Sequence, residues 1–370
     1  MPQPFRSYVA ISRSRIAANF RNVREAAGPE VAVCGVVKAD AYGHGALEVS
    51  RILEQEGARW LAVSSVEEGV ALRRAGRSSR ILVMAGFQRY EREALLEFAL
   101  TPAVHTLEDI AELESAAIAY HLKIDSGMGR LGTRACSEQV IAAIRAAPHA
   151  RCEGIMTHFA SAADYGSLQT ENQAAAFRRT CDDLCAAGIS PEYRHTSSTN
   201  AIAYARRDAW YNMVRPGHAI YGYLSHARGD APARILHVKP ALEWKAKILV
   251  IKDIPEGALV GYGGSFRAPR PMRIGVLAVG YADGLPHRLS NKGRIIADGK
   301  LAAILGTVSM DLTTIDLSHT QALKAGDEVT ILGQEGEAKQ DAQQIARLAG
   351  TISYNILCGI SARVRRVYVD

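Results

Sequence analysis

Between residues 30 and 225 the chain repeats one pattern eight times: a short β-branched run, then a segment rich in Ala, Leu, Glu and Arg with helical period. Repeated βα units laid into a parallel sheet account for such a pattern. The runs are VAVCGVV ending at Val37, LAVSS from Leu61, ILVMAG from Ile81, TPAV ending at Val104, YHLKID from Tyr120, CEGIMTH ending at His158, EYRH ending at His195 and YNMV ending at Val214. Eight strands predict a (β/α)8 TIM-type barrel, since an open doubly wound sheet has about five or six. TPAV and EYRH are short for such strands. An open nucleotide-binding sheet would also carry G-x-G-x-x-G after the first strand, where this chain has KADAYGHGA.

After Pro240 the texture changes. EWKAKILVI, ALVGYG, MRIGVLAVGY, GRIIADGKLAAIL and GDEVTIL are strand-like and separated by Gly, Pro and Asp-Gly turns. They predict a mostly β domain interrupted by one helix, DAQQIARLAG from Asp341, and closed by the strand ARVRRVYV. The expected division is 1–235 for the barrel, with its N-terminal segment packing on the second domain, and 236–370 for that domain. A chain of 370 residues, 48% hydrophobic and 22% charged, can bury two such cores.

Charge and apolar content exclude several function classes. The formal charge of +6 arises from 44 basic and 38 acidic residues spread along the chain, without the clustered stripe of a nucleic-acid binder. No run approaches the roughly 18 apolar residues of a membrane span, and the opening segment lacks the apolar core of a signal peptide. A cytoplasmic protein with no nucleic-acid or membrane partner is expected. Six irregularly spaced cysteines read as free thiols. Cys181 and Cys185 lie four apart on a predicted helix but lack a second ligand pair, so no metal site is expected.

Barrel enzymes carry their chemistry at strand C-terminal ends. Collected there are Lys38, Asp40, Tyr42 and His44 after strand one, and Lys123, Asp125 and Arg130 after strand five. His158 follows strand six, His195 and TSSTN strand seven, and Arg215-Pro216-Gly217 strand eight. Lys38 emerges from the apolar pair Val36-Val37, and a desolvated lysine has a lowered pKa suited to Schiff-base chemistry; alone, it reads equally as a strand-end lysine reaching water. Ser198, Thr199 and Asn200 are N-cap types opening a helix, where free N–H groups favour a phosphate, and Arg215-Pro216-Gly217 adds an exposed backbone turn. A lysine and a phosphate cradle together match the needs of pyridoxal phosphate. Asp125 and Arg130 read either as a loop ion pair or as functional groups, and His158 and His195 as hydrogen-bonded or acid/base histidines. Tyr262 lies between glycines that free it to project.

VVKADAYGHGA, HLKIDSGMGRLG, THFASAAD, MVRPGHAIYGY, VGYGGSF, VGYADGLP, GTVSMDLTTID and TISYNILC, in that order, resemble the motif series of the alanine racemases. The resemblance implies a pyridoxal-5'-phosphate enzyme that interconverts L- and D-alanine, a small amino-acid substrate, and a homodimer whose active sites draw on both chains. By motif, Lys38 would form the internal aldimine and act as one acid/base, and Tyr262 of the partner subunit as the other. Arg215 would face the pyridine nitrogen, positioned by His158. Tyr42, Thr199, Gly217, Tyr354 and the N–H of His218 would hold the phosphate. Arg130 would contact substrate carboxylate or the cofactor's phenolic oxygen, with Met310 of the partner, while Lys123, Tyr281 and Asp311 support. Lys123 matches a position many members carry as a carbamate. Two departures stand out: His218 where an aliphatic residue is expected, and Ser309 where many members have cysteine. A decarboxylase of the same architecture is the alternative, but it is expected to place an acid, not Arg215, against the pyridine. The resemblance leaves cell-wall supply and alanine catabolism both open as the role, as it does a wider substrate range.

Overall fold

The computed structural model describes residues 5–370, which form two compact units. Arg15–Ala41 and Ala46–Lys239 make one; residues 5–14, Tyr42–Gly45 and Pro240–Asp370 make the other.

In the first unit eight parallel strands follow in chain order: Ala32–Val36, Trp60–Val63, Arg80–Val83, Leu100–Val104, Tyr120–Lys123, Cys152–Met156, Tyr193–His195 and Met213–Val214. The last returns to the first, pairing Met213 with Ala32 and Val214 with Val33, and a parallel bridge from Ser198 to Arg215 joins the seventh to the eighth just past their ends. This is the expected (β/α)8 barrel. Most strand positions are buried because both faces are covered; Trp60–Val63 and Leu100–Val104 are buried throughout. Helices start on caps written into the loops. Ser65 accepts from the Glu68 amide and Thr106 from the Asp109 amide.

The first strand runs into a turn that composition did not announce. Lys38–Tyr42 makes one helical turn, yet Ala39, Asp40, Ala41 and Tyr42 have φ of 52°, 50°, 53° and 54°. A left-handed turn of non-glycine residues costs about 1–2 kcal/mol per residue, so it must be held from outside. The Ala41 amide donates to the Val37 carbonyl (2.9 Å) and the Ala39 amide to the Glu68 carboxylate (2.7 Å), while Asp40 accepts from the Ala46 amide (2.7 Å) where the next helix begins. Ala39 is exposed, so its methyl group contributes strain and little packing. Ala39→Gly is therefore expected to stabilise the fold by about 0.5–1 kcal/mol, read as a higher denaturation midpoint. A lower midpoint would contradict the left-handed assignment.

The second unit is built on one long strand. Leu242–Ile254 pairs antiparallel with Ser7–Ser12, Met272–Leu277 and Glu328–Glu335, and Ser7–Ser12 pairs on its other edge, in parallel, with Arg365–Val369. A mostly β unit is thus as expected. Asp298 and Gly299, both at positive φ (51° and 68°), make the two-residue turn between Arg294–Ala297 and Lys300–Leu305. The helix expected from Asp341 runs Ala342–Ala349, capped by the Asp341 side chain and ended by Gly350 at φ 67°. A second helix, Ser353–Gly359, was not expected. Ile352 occupies its N-cap with no side-chain bond, so no cap residue marks it in the sequence.

Candidate active site

In the barrel unit the strand-end polar residues connect around Arg215, which is 2% exposed. Its Nη1 donates to His195 Nδ1 (2.6 Å) and the His195 carbonyl (3.0 Å). Nη2 donates to the carbonyls of Thr157 (2.7 Å) and Thr196 (3.1 Å), with His158 Nδ1 at 3.4 Å. A guanidinium has five N–H donors, so Nε–H is the one not engaged inside the barrel. Burial lowers Arg215 to about 10, opposed by Cys34, and it remains a cation at neutral pH.

Lys123 ends the fifth strand and is 5% exposed. Burial above all, then Arg215, Arg130 and Lys38, with Asp125 opposing, brings its ammonium down to about 8. Burial and the same cations bring His158 to about 3, so its ring is neutral. Asp125 does not pair with Arg130. Its Oδ1 accepts from the amides of Gly127, Met128 and Gly129 (3.2, 2.9 and 3.0 Å) and its Oδ2 from Arg134 Nε (2.7 Å). Partial burial raises this carboxyl, but those bonds outweigh it and hold it at about 2. The loop is shaped by Asp125 while Arg130 stays exposed on it.

Lys38, half-buried, opens the left-handed turn. Ser198 is the N-cap of the short helix Thr199–Ala203 but makes no side-chain cap bond. Thr199 Oγ1 instead accepts from the amides of Gly217 (3.1 Å) and Ala219 (3.2 Å), which leaves its own proton to donate. The turn at Arg215-Pro216-Gly217, expected to be exposed, is buried because those amides face inward onto Thr199. His218 is buried with its ring stacked on Tyr223, centroids 5.1 Å apart.

The second unit carries the remaining residues. The rings of Tyr42 and Tyr354 lie 5.9 Å apart at 46°. Burial first, then Tyr354 and Cys358, pushes the Tyr42 phenol above its ordinary range, so it keeps its proton. Tyr262 is 76% exposed on a tight turn between Gly261 and Gly263, at φ 75° and 68°. Met310 is also exposed, and its loop is tied to that of Tyr281. The Tyr281 amide donates to the Ser309 carbonyl and the Ala282 amide to the Met310 carbonyl, both at 3.0 Å. Gly280 is pressed against those same carbonyls, where a Cβ would collide. Arg363 clamps the pair, reaching Asp311 (2.7 Å) and Asp283 (2.9 Å).

The geometry adds neighbours of Arg215 that sequence reasoning did not put there. His195 lies closer to Arg215 than His158 does, and the carbonyls of Thr157 and Thr196 complete its cradle. Carbonyls leave no side-chain signal, and Arg363 stands outside every motif.

The family profiles "Alanine racemase, N-terminal domain" and "Alanine racemase, C-terminal domain" match residues 11–225 and 241–368. An alanine racemase of Halothermothrix orenii is 38% identical over 98% of this chain and 96% of its own length. The solved alanine racemase of Clostridium difficile 630 superimposes with a TM-score of 0.92 at 31% identity, covering 100% of this chain and 97% of that one. The alanine racemase of Bartonella henselae, solved with covalently bound pyridoxal phosphate, gives 0.88 at 26% identity over 99% of this chain and 100% of that one. Strand order, strand-end residues and full-length similarity agree, and this chain belongs to the alanine racemase family.

Proposed function

We propose that this enzyme performs its family's isomerisation of alanine on pyridoxal 5'-phosphate, as a homodimer, with Lys38 and the partner's Tyr262 as its two acid/base groups. The decarboxylase alternative is set aside by the family. Arg215 carries the cofactor reading: its Nη atoms are consumed by protein acceptors, leaving Nε–H as the donor for a ring nitrogen. A permanent cation there opposes protonation of a pyridine, which limits the electron sink and restrains side reactions. The donors suited to a phosphate are equally apt, since Thr199 has a proton to give and the Tyr42 phenol stays protonated. Gly217, the N–H of His218 and Tyr354 complete the proposed set, although the Gly217 amide already serves Thr199.

When bound, the cofactor supplies the sink for the electron pair left as the α-proton departs. The Lys38 amine takes that proton on one face, and the phenol of the partner's Tyr262 gives one on the other; the reverse direction exchanges the roles. Exposure of Tyr262, Met310 and Leu312 in a single chain supports their being covered by a second subunit. Arg130 holds the substrate carboxylate, aided by the partner's Met310. Incubating the cofactor-loaded protein with L-alanine is expected to yield D-alanine by chiral analysis, and borohydride should fix the cofactor on Lys38. Release of carbon dioxide instead, or attachment at another lysine, would overturn the reading.

Lys123 is read as a carbamate, formed as its neutral amine adds carbon dioxide and releases a proton. Arg215, Arg130 and Lys38 around this buried position favour an anion, and an amine titrating near 8 is available to react. The carbamate should appear as one added carbon dioxide in native mass, grow as pH rises through about 8, and vanish in acid. Lys123→Ala should weaken substrate binding through a misplaced Arg130, by about tenfold in KM. An unmodified Lys123 at pH 9 with bicarbonate present would refute it.

A further inference from the structure

The interior of this barrel holds a line of polar groups where branched apolar side chains ordinarily sit. From Arg215 it passes to His195, whose Nε2 lies 2.7 Å from His121 Nδ1. His121 Nε2 faces Glu153 Oε2 across 3.8 Å, a gap that electrostatics spans and a hydrogen bond does not. Glu153 is gripped by Arg80 (2.6 and 2.5 Å) and Arg151 (2.6 Å), and Arg80 lies over the Trp60 ring at 4.2 Å. His121 and His195 are fully buried, and Glu153 is 1% exposed.

The order of donors along this line is forced. A guanidinium only donates, so His195 Nδ1 must accept and its proton must sit on Nε2. That proton goes to His121 Nδ1, which places the proton of His121 on Nε2, toward the carboxylate. Both rings are neutral, since burial lowers each, aided by Arg215, and the groups facing His121 are Arg80, Arg215, Glu153 and His195. The line thus begins at a cation, ends at an anion and carries two aligned dipoles between them. Were His195 to change tautomer, an N–H would oppose the guanidinium, and were its ring to turn over, a C–H would replace the acceptor. His121 prevents this by accepting the Nε2 proton.

The backbone is shaped to hold His121 there. A Cβ on Gly154 would stand 2.6 Å from the ring atoms Cγ and Nδ1, and the Tyr193 ring stacks on His121 at 5.8 Å and 22°. We infer that His121, held by Gly154 and Glu153, is a positioning residue that locks the tautomer of His195 and through it the aim of Arg215. This rests on Arg215 facing the cofactor ring, as proposed above, but the locked tautomers do not.

Histidine-selective 15N NMR of the wild-type holoenzyme tests the lock directly. Two rings are expected as neutral Nε2–H tautomers that do not titrate between about pH 6 and 9, identified by the signals lost or moved in His121→Phe. His121→Phe keeps a ring but removes the acceptor, so the remaining His195 signal should change, and transamination per racemisation should rise by about fivefold to tenfold. His121→Asn, whose amide oxygen can accept in place of Nδ1, should restore both, whereas Gly154→Ala should behave like His121→Phe. An Nδ1–H tautomer, a titration near the ordinary histidine value, or a His195 signal and partitioning unmoved by His121→Phe would overturn the inference. Should Phe fail to fold, the signal lost in His121→Asn supplies the assignment and the wild-type tautomers decide. Failure of the racemase reading would look different: no D-alanine from wild type, with the tautomers intact.

Discussion

Mixed dimers made by exchanging subunits between the Lys38→Ala and Tyr262→Ala proteins are expected to regain about a quarter of wild-type racemisation, because random exchange makes half the dimers mixed and each of those has one complete site. Each parent homodimer should be at least about 100-fold reduced, the usual worth of a positioned acid or base. The recovery follows from the proposed trans arrangement. In a mixed dimer one site lacks both groups and the other lacks neither. If Tyr262 served its own chain, each mixed site would lack one group and activity would stay at the parental level despite verified exchange. The exposure of Tyr262, 76% in a single chain, is the structural reason to expect recovery.

Arg215→Glu should lower racemisation by about 100-fold or more while the share of transamination rises. Two effects act together. A carboxylate stabilises the protonated pyridine that a guanidinium resists, which deepens the electron sink and prolongs the carbanion. It also leaves the carbonyls of Thr157, His195 and Thr196 facing an anion instead of the donor they converge on. Arg215→Lys separates the two, since a single ammonium keeps the charge but cannot satisfy that fork of acceptors. It should retain low transamination with reduced stability. Unchanged partitioning in the Glu variant, with a normal fold, would remove Arg215 from the ring nitrogen.

The barrel was legible because most of its strands are buried on both faces and read as short apolar-rich runs at βα spacing; Tyr193–His195, with only His195 buried, was marked by its place in the repeat instead. Candidate site residues stood out where chemistry and strand end coincide, as at Lys38, Lys123 and Arg215. The left-handed turn was not, because Ala39-Asp40-Ala41-Tyr42 contains no glycine and is imposed by Glu68 and by Asp40 across the following loop. Nor could spacing distinguish Arg130 from Arg134 as the partner of Asp125, since both lie on one loop whose path decides it. His121 and Glu153 were hidden for a related reason. Each sits within a strand, and the pairing of three successive strands, with a register shift between Tyr120 and His121, brings them into line with His195.

The placement of Ser7–Ser12, between Leu242–Ile254 and Arg365–Val369, bears on how the chain is made. These residues leave the ribosome before the barrel, while the strands on both their edges, Leu242–Ile254 and Arg365–Val369, follow only after it. At roughly 5–20 residues per second, the segment waits on the order of tens of seconds with both edges open. The barrel between can close meanwhile, from consecutive strands that need only their neighbours. Through that interval the nascent chain trails an apolar segment, YVAIS, competent to pair with any passing edge. Chaperone demand during synthesis should therefore concentrate on residues 7–12 rather than on the larger barrel, and crowded polysomes are where foreign strand pairing would first appear.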